Sequence, residues 1–244
     1  MRPLRSCLII AALLLTTPAW AITADELVTK NVEAKGGTAA MQAVQGLRRS
    51  GKLIIGGGRF IAGIVEIKQR PAAIRAEFSL QGLTQVQAYD GKSGWQIDPF
   101  QGRKDAENMA PDDVKGLVED ADIDGPMVDY RAKGHTLEYL GTEDIDGTPA
   151  HKLKLVRGNG DLQYIYLDPD HFLEIRIENQ RSVRGVKQIG ITDFGNYEKV
   201  GGVFWPMSME LFQKGSSDKQ VIEYEQAEVN PALAASLFQF PASK

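Results

Sequence analysis

From Leu47 to about Glu228, apolar and polar residues alternate with a period of two, and the pattern breaks once, near residues 111–121. Alternation of this kind marks strands with one buried and one wet face. It predicts strands over 47–55, 59–68, 74–80, 83–89, 93–97, 136–140, 150–156, 162–168, 172–178, 186–197, 203–212 and 220–229. Residues 74–80 show it most cleanly, with Ile74, Ala76, Phe78 and Leu80 facing one way and Arg75, Glu77 and Ser79 the other. Asp90-Gly91, Asp146-Gly147, Gly158-Asn159-Gly160 and Asp168-Pro169-Asp170 supply turns between them. Consecutive strands joined by short turns favour a meander. The expectation is a mainly β fold with helices (α+β). Its strands would form a single curved antiparallel sheet.

Two stretches switch to a helical period. Thr23-Ala-Asp-Glu26 fits a capping box, in which a Thr side chain and a Glu three residues on satisfy orphan amides. Leu27, Val28, Val32 and Ala34 follow as an apolar stripe, and Gly36-Gly37 ends the helix. A shorter helical turn is expected over 38–44, and one more in the apolar tail at 231–240. In the interruption, Pro111 suits a first helical position, and Asp112 and Asp113 favour the positive end of the helix dipole. Val114, Leu117, Val118 and Ala121 recur at i, i+3, i+4 and i+7, the spacing of a buried stripe. These four residues are candidate lid positions over the open side of the sheet.

The first 21 residues read as an export signal. Arg2 and Arg5 precede an apolar run from Cys7 to Thr17, and Ala19-Trp20-Ala21 has a small-x-small cleavage pattern. A spanning helix needs about 20 apolar residues, and Thr16, Thr17 and Pro18 cut this one short. Residues 22–244 are then one exported, soluble, periplasmic domain. Its sole cysteine, Cys7, lies in the leader, so neither a disulfide nor a thiol nucleophile is available to the mature chain. Without Arg2 and Arg5, Lys+Arg falls from 28 to 26 against 32 Asp+Glu, a net charge near −6. An acidic balance disfavours nucleic acid and anionic headgroups as partners.

Candidate chemistry is sparse. His135, His151 and His171 fall in separate segments without metal-ligand spacing, and no nucleophile-elbow sequence accompanies Ser79, Ser182 or Ser208. Gly56-Gly57-Gly58 lacks the Lys-Ser/Thr and helix start of a phosphate loop, so it reads as a turn. Asp120, Asp122 and Asp124 alternate without the glycine and glutamate of an EF-hand, which suits a solvated helix end. The expectation is a protein without catalysis, metal or cofactor. Phe60, Ile64, Ile74, Phe78, Val86, Trp95, Leu153, Tyr164, Tyr166 and Trp205 all fall on expected strands. Any one of them suits an ordinary core as well as a ligand contact. Collectively, on a sheet curled around an opening, they are candidates to line a lipid-binding cavity.

Five stretches carry a family resemblance. They are Ala24-Asp-Glu-Leu-Val-Thr-Lys-Asn-Val-Glu-Ala-Lys-Gly-Gly37, Tyr89-Asp-Gly-Lys-Ser-Gly-Trp95, Leu140-Gly-Thr-Glu-Asp-Ile-Asp-Gly-Thr-Pro-Ala-His-Lys-Leu-Lys154, Tyr164-Ile-Tyr-Leu-Asp168 and Tyr197-Glu-Lys-Val-Gly-Gly-Val-Phe-Trp-Pro206. In order and spacing they resemble the outer-membrane lipoprotein-sorting proteins of the LolA/LolB-like superfamily across essentially the whole mature chain. The resemblance implies a strongly curved antiparallel sheet of about 11 strands forming an incomplete barrel closed by helical lid segments, and a hydrophobic cavity for the acyl chains of a lipoprotein or lipid. The expectation is a carrier whose partner is an inner-membrane exporter or an outer-membrane acceptor, and a carrier of this size can work as a monomer. The competing reading is an envelope sensor or accessory binding protein of the same fold, acting with a membrane transporter or signalling partner.

Overall fold

The computed structural model describes residues 22–183 and 186–241, with backbone alone for Ser182 and Val183. The leader and Cys7 lie outside the described residues. Helix α1 (Ala24–Lys35) starts at the expected capping box: Thr23 Oγ1 accepts from the Glu26 amide at 3.2 Å, and Glu26 accepts from the Thr23 amide at 2.8 Å. Helix α2 (Thr38–Ala43) follows. Strands β1 (Gly46–Ile55), β2 (Phe60–Gln69), β3 (Ala73–Leu80), β4 (Leu83–Tyr89), β5 (Gly94–Asp98) and β6 (Arg103–Asn108) then run as one meander. Helix α3 (Pro111–Asp120) and a strap over 121–135 cross to the far edge. A second meander returns through β7 (Thr136–Ile145), β8 (Thr148–Val156), β9 (Leu162–Leu167), β10 (Glu174–Val183), β11 (Val186–Val200), β12 (Val203–Gln213) and β13 (Lys219–Val229).

Strand order is β6-β5-β4-β3-β2-β1-β13-β12-β11-β10-β9-β8-β7, with every neighbouring pair antiparallel. The sheet has 13 strands rather than about 11, and it is two meanders rather than one. They are joined where Leu47 on β1 pairs Val229 on β13. Strand β6 has the sequence Arg-Lys-Asp-Ala-Glu-Asn, which lacks the apolar alternation that makes a strand legible. Its position at an open edge tolerates that. β7 runs five residues beyond its expected end because a register shift between Tyr139 and Thr142 lets it continue to Ile145.

The helices sit on the inner face of the sheet. Leu27 of α1 is fully buried against Leu153, Leu155, Ile165 and Leu167 on one wing. Leu117 and Ala121 of α3 bury against Ile74 on the other. Val114 approaches Gly94 so closely that a Cβ there would lie 2.6 Å from its Cγ2. Val118 is 44 % exposed, so the buried stripe of α3 is Val114, Leu117 and Ala121. Strap residues Ile123 and Val128 pack with Met41, Val44 and Val203, and Arg70 grips Asp124 through two 2.6 Å bonds.

The cavity of the half-barrel as candidate functional site

Cross-strand pairs share a face of a sheet, so the register settles where each inward residue points. The concave face carries Leu47 and Arg49 of β1, Ile64, Glu66 and Lys68 of β2, Ile177, Asn179 and Arg181 of β10, and Ile222 and Tyr224 of β13. Together with Trp205, Met209 and Leu211 of β12 and the segment 119–126, they enclose a cavity of about 400 Å³. That lies within the roughly 300–1,000 Å³ of small-ligand sites.

Of the ten residues expected to line a cavity, Ile64 and Trp205 do so. Ile74, Phe78, Phe60 and Leu153 share the concave face but not the cavity. Ile74 is covered by α3 and Leu153 by α1. Phe78 packs on Phe100 at 5.4 Å between ring centres, and Phe60 is half exposed at the rim. Val86 and Trp95 lie on the convex face beside Ala88. There the chain end covers Trp95, whose indole N–H donates to the Phe238 carbonyl at 2.8 Å, through a short 3-10 turn at Ala235–Leu237. Tyr164 and Tyr166 also face outward, clustered with Ile145 and Ala150. A single face of alternation cannot reveal which face a long-range partner will cover, and that separates these residues from Ile64.

The alternation reading omitted the charged residues of the cavity. Arg49 is 5 % exposed. Its Nε and Nη2 donate to Glu66 Oε1 at 3.1 and 2.7 Å, its Nη1 donates to the Pro206 carbonyl at 2.9 Å, and its guanidinium lies 4.0 Å from the centre of the Tyr224 ring. Burial pushes the Glu66 carboxyl up, but Arg49 and Lys68 outweigh it and hold the group below the usual range. Burial drives the hydroxyls of Tyr224 and Tyr197 well up, so both stay protonated. Tyr197 donates to the Glu174 carbonyl at 2.8 Å, and the Glu174 carboxylate pairs with Lys35. Gln163 donates to Asn179, which leaves the Gln163 carbonyl oxygen buried without a partner among the described residues. The signal was present in the sequence: Ile64-x-Glu66-x-Lys68 and Ile177-x-Asn179-x-Arg181 place polar groups in phase with apolar ones.

Helix α3 spans the mouth between the two wings. On one side it rests on Ile74 and Gly94. On the other, Glu119 accepts from Arg181 Nη2 at 2.9 Å and lies 3.8 Å from Arg157 Nη2. Burial nonetheless raises the Glu119 carboxyl above its ordinary range. The three alternating acids that suggested a solvated helix end diverge instead. Asp122 takes Lys133 Nζ at 2.6 Å, Asp124 takes Arg70, and Asp120 faces the cavity. The histidines lie elsewhere: His135 Nδ1 accepts from the Gly158 amide at 3.3 Å, His151 bonds Tyr139 at 2.9 Å, and His171 meets Asp168 at 3.1 Å. Among the described residues no helix is long and apolar enough to cross a membrane.

No family model matches the chain, and neither does any curated protein. Solved structures do match. A LolA superfamily protein from Nitrosomonas europaea superposes with a TM-score of 0.61 at 13 % identity, covering 90 % of this chain and 98 % of the other. A DUF1329 family protein from Desulfovibrio piger gives 0.61 at 12 % identity, covering 88 % and 97 %. A domain assigned to outer membrane lipoprotein sorting, from Vibrio parahaemolyticus, gives 0.59 at 11 % identity, covering 88 % and 97 %. The chain therefore has the fold of these proteins, and the resemblance read from its sequence holds at the level of fold.

Proposed function

We propose that this chain is an exported, periplasmic binding protein that shelters the acyl chains of a lipid or lipoprotein, without catalysing a reaction on them. The observation that carries the reading is the cavity beneath α3 and the strap, where Ile64, Phe194, Trp205, Met209, Leu211 and Ile222 supply apolar surface. Burying a CH₂ is worth about 0.8 kcal/mol, so a fourteen-carbon chain in water represents roughly 11 kcal/mol of unfavourable exposure. A carrier must offset much of that and still release its cargo. A cavity closed by one helix, held to the second wing by an ion pair rather than an apolar core, suits both demands. Binding rather than catalysis is favoured because each described histidine is engaged outside the cavity.

The two described tryptophans provide the test. Trp205 lines the cavity, whereas Trp95 is 2 % exposed on the opposite face. In the mature Trp95→Phe protein the remaining emission comes from Trp205, and adding a medium-chain fatty acid or a short-chain phospholipid should shift it to shorter wavelength. In the Trp205→Phe protein the emission of Trp95 should stay constant. An unmoved Trp205 signal with every aliphatic ligand would refute the proposal.

A further inference from the structure

The concave face does not end with the apolar cavity. Beyond Leu211 it continues toward the loop that joins β12 to β13, as a second recess of about 500 Å³. The two spaces share Asn179, Arg181, Thr192 and Leu211. Register explains what lines the second. Asn179 pairs Gly190, which pairs Gln213; Arg181 pairs Gln188; Thr192 pairs Leu211, which pairs Gln220. Cross-strand partners share a face, so four adjacent strands present Asn179, Gln188, Thr192, Gln213 and Gln220 around one glycine. A Cβ on Gly190 would meet nothing closer than Gln213 Nε2 at 3.8 Å, which leaves the floor of the recess open.

This lining is neutral, and its hydrogen-bonding capacity is unused. The side chains of Gln188, Thr192, Gln213 and Gln220 make no hydrogen bond to any described residue. Asn179 accepts from Gln163, but its own N–H groups donate to no described residue. At the inner end, Gln163 is 5 % exposed, lines the cavity and keeps a carbonyl oxygen without a described partner. Two charges border the recess. Arg181 is already held by Glu119 at 2.9 Å, and Asp218 stands in solvent on the loop. An amide offers both donors and an acceptor, as a hydroxyl does. A carboxylate only accepts, and an ammonium only donates. Amides and a threonine therefore match a ligand with several hydroxyls better than an ion of either sign. The open floor at Gly190 gives such a group room, and Leu211 sets it at the end of an aliphatic tail.

We propose that this recess is a head-group subsite for an amphiphile with a neutral, hydroxyl-rich head group, whose tail enters the cavity past Leu211 along Met209 and Ile222. The inference rests on the acyl-binding reading and adds the chemistry of the head group to it. The hydroxyls can belong to a sugar ring or to an acylated glycerol, and the two sources are separable.

The test is displacement of dansylaminoundecanoate from the mature protein by dodecyl glucoside, monolaurin, dodecanol, laurate and dodecylammonium, each below its micellar concentration. A polyol head group should displace the probe at about tenfold lower concentration than the other three, as two net hydrogen bonds would give. The better of the glucoside and monolaurin identifies the source. Gly190→Val fills the floor and Gln213→Leu removes a partner, so each should abolish the polyol preference and leave displacement by dodecanol unchanged. Equal displacement by all five, a preference for laurate or dodecylammonium, or a polyol preference that survives either replacement overturns the subsite, while probe binding itself upholds the acyl reading. No probe uptake by the wild-type protein overturns both.

Discussion

Arg49 and Asp120 show how two charged residues in one cavity can act in opposite senses on stability. Arg49 has its counter-charge, its carbonyl and its aromatic platform, so removing Glu66 alone leaves a buried guanidinium unpaired. Glu66→Gln should cost about 3–5 kcal/mol in urea unfolding, and the double replacement Arg49→Met with Glu66→Leu should cost less than that single change. The pH dependences run oppositely as well. Glu66 has a depressed carboxyl pKa in the fold, so its contribution is present above the ordinary carboxylate range and is lost as pH falls through the folded value. Asp120 has a raised one, so its ionisation destabilises the fold as pH rises through the folded value. Asp120→Asn should therefore raise the melting temperature at pH 7, and the gain should vanish in acid, where the wild-type carboxyl is already protonated. A variant equal to wild type at neutral pH would contradict this account of the site. None of these opposed roles is legible in the sequence, because Glu66 and Asp120 acquire their environments from strands and a helix distant along the chain.

Helix α3 carries the same logic at the level of an element. Its Pro111 start and its Val114, Leu117 and Ala121 stripe were readable from spacing, as were the capping box of α1 and most of the strands. What spacing could not show is that the second face of α3 reaches the other wing through Glu119. Two replacements separate the contacts. Leu117→Ala removes packing against Ile74 and should cost about 2–5 kcal/mol of global stability. Glu119→Gln should leave the sheet intact but speed hydrogen exchange of the α3 amides, because it weakens the tie to Arg181. Gly94→Ala should have the same local effect by pushing Val114 outward. If the α3 amides exchange only with global unfolding in both variants, the helix is a fixed part of the core rather than a movable cover.

At the scale of the whole molecule, the two meanders are joined into one open sheet only at its centre, where the first and last strands pair. Both free edges belong to strands flanking the crossover, β6 and β7. Local pattern could announce the hairpins, but the β1–β13 pairing joins segments at opposite ends of the domain and leaves no local trace. That pairing turns two meanders into one trough and brings Arg49, Ile222 and Tyr224 beside Ile64 and Glu66. Alternation placed the candidate residues on strand faces, but which face turns inward, and which residues on it meet open space, depended on the long-range pairing and on where α1, α3 and the C-terminal segment came to rest. Trp95 was thereby lost to the convex face and Trp205 kept for the cavity. The trough, its helix and its strap make sense together if something aliphatic occupies the space they enclose. Native mass spectrometry of the mature protein purified from a bacterial periplasm measures that directly. Adducts with the masses of lipids, removed by organic extraction and restored by adding lipid back, are the predicted result. A single unadducted species that stays unadducted when acyl lipids are supplied would contradict it.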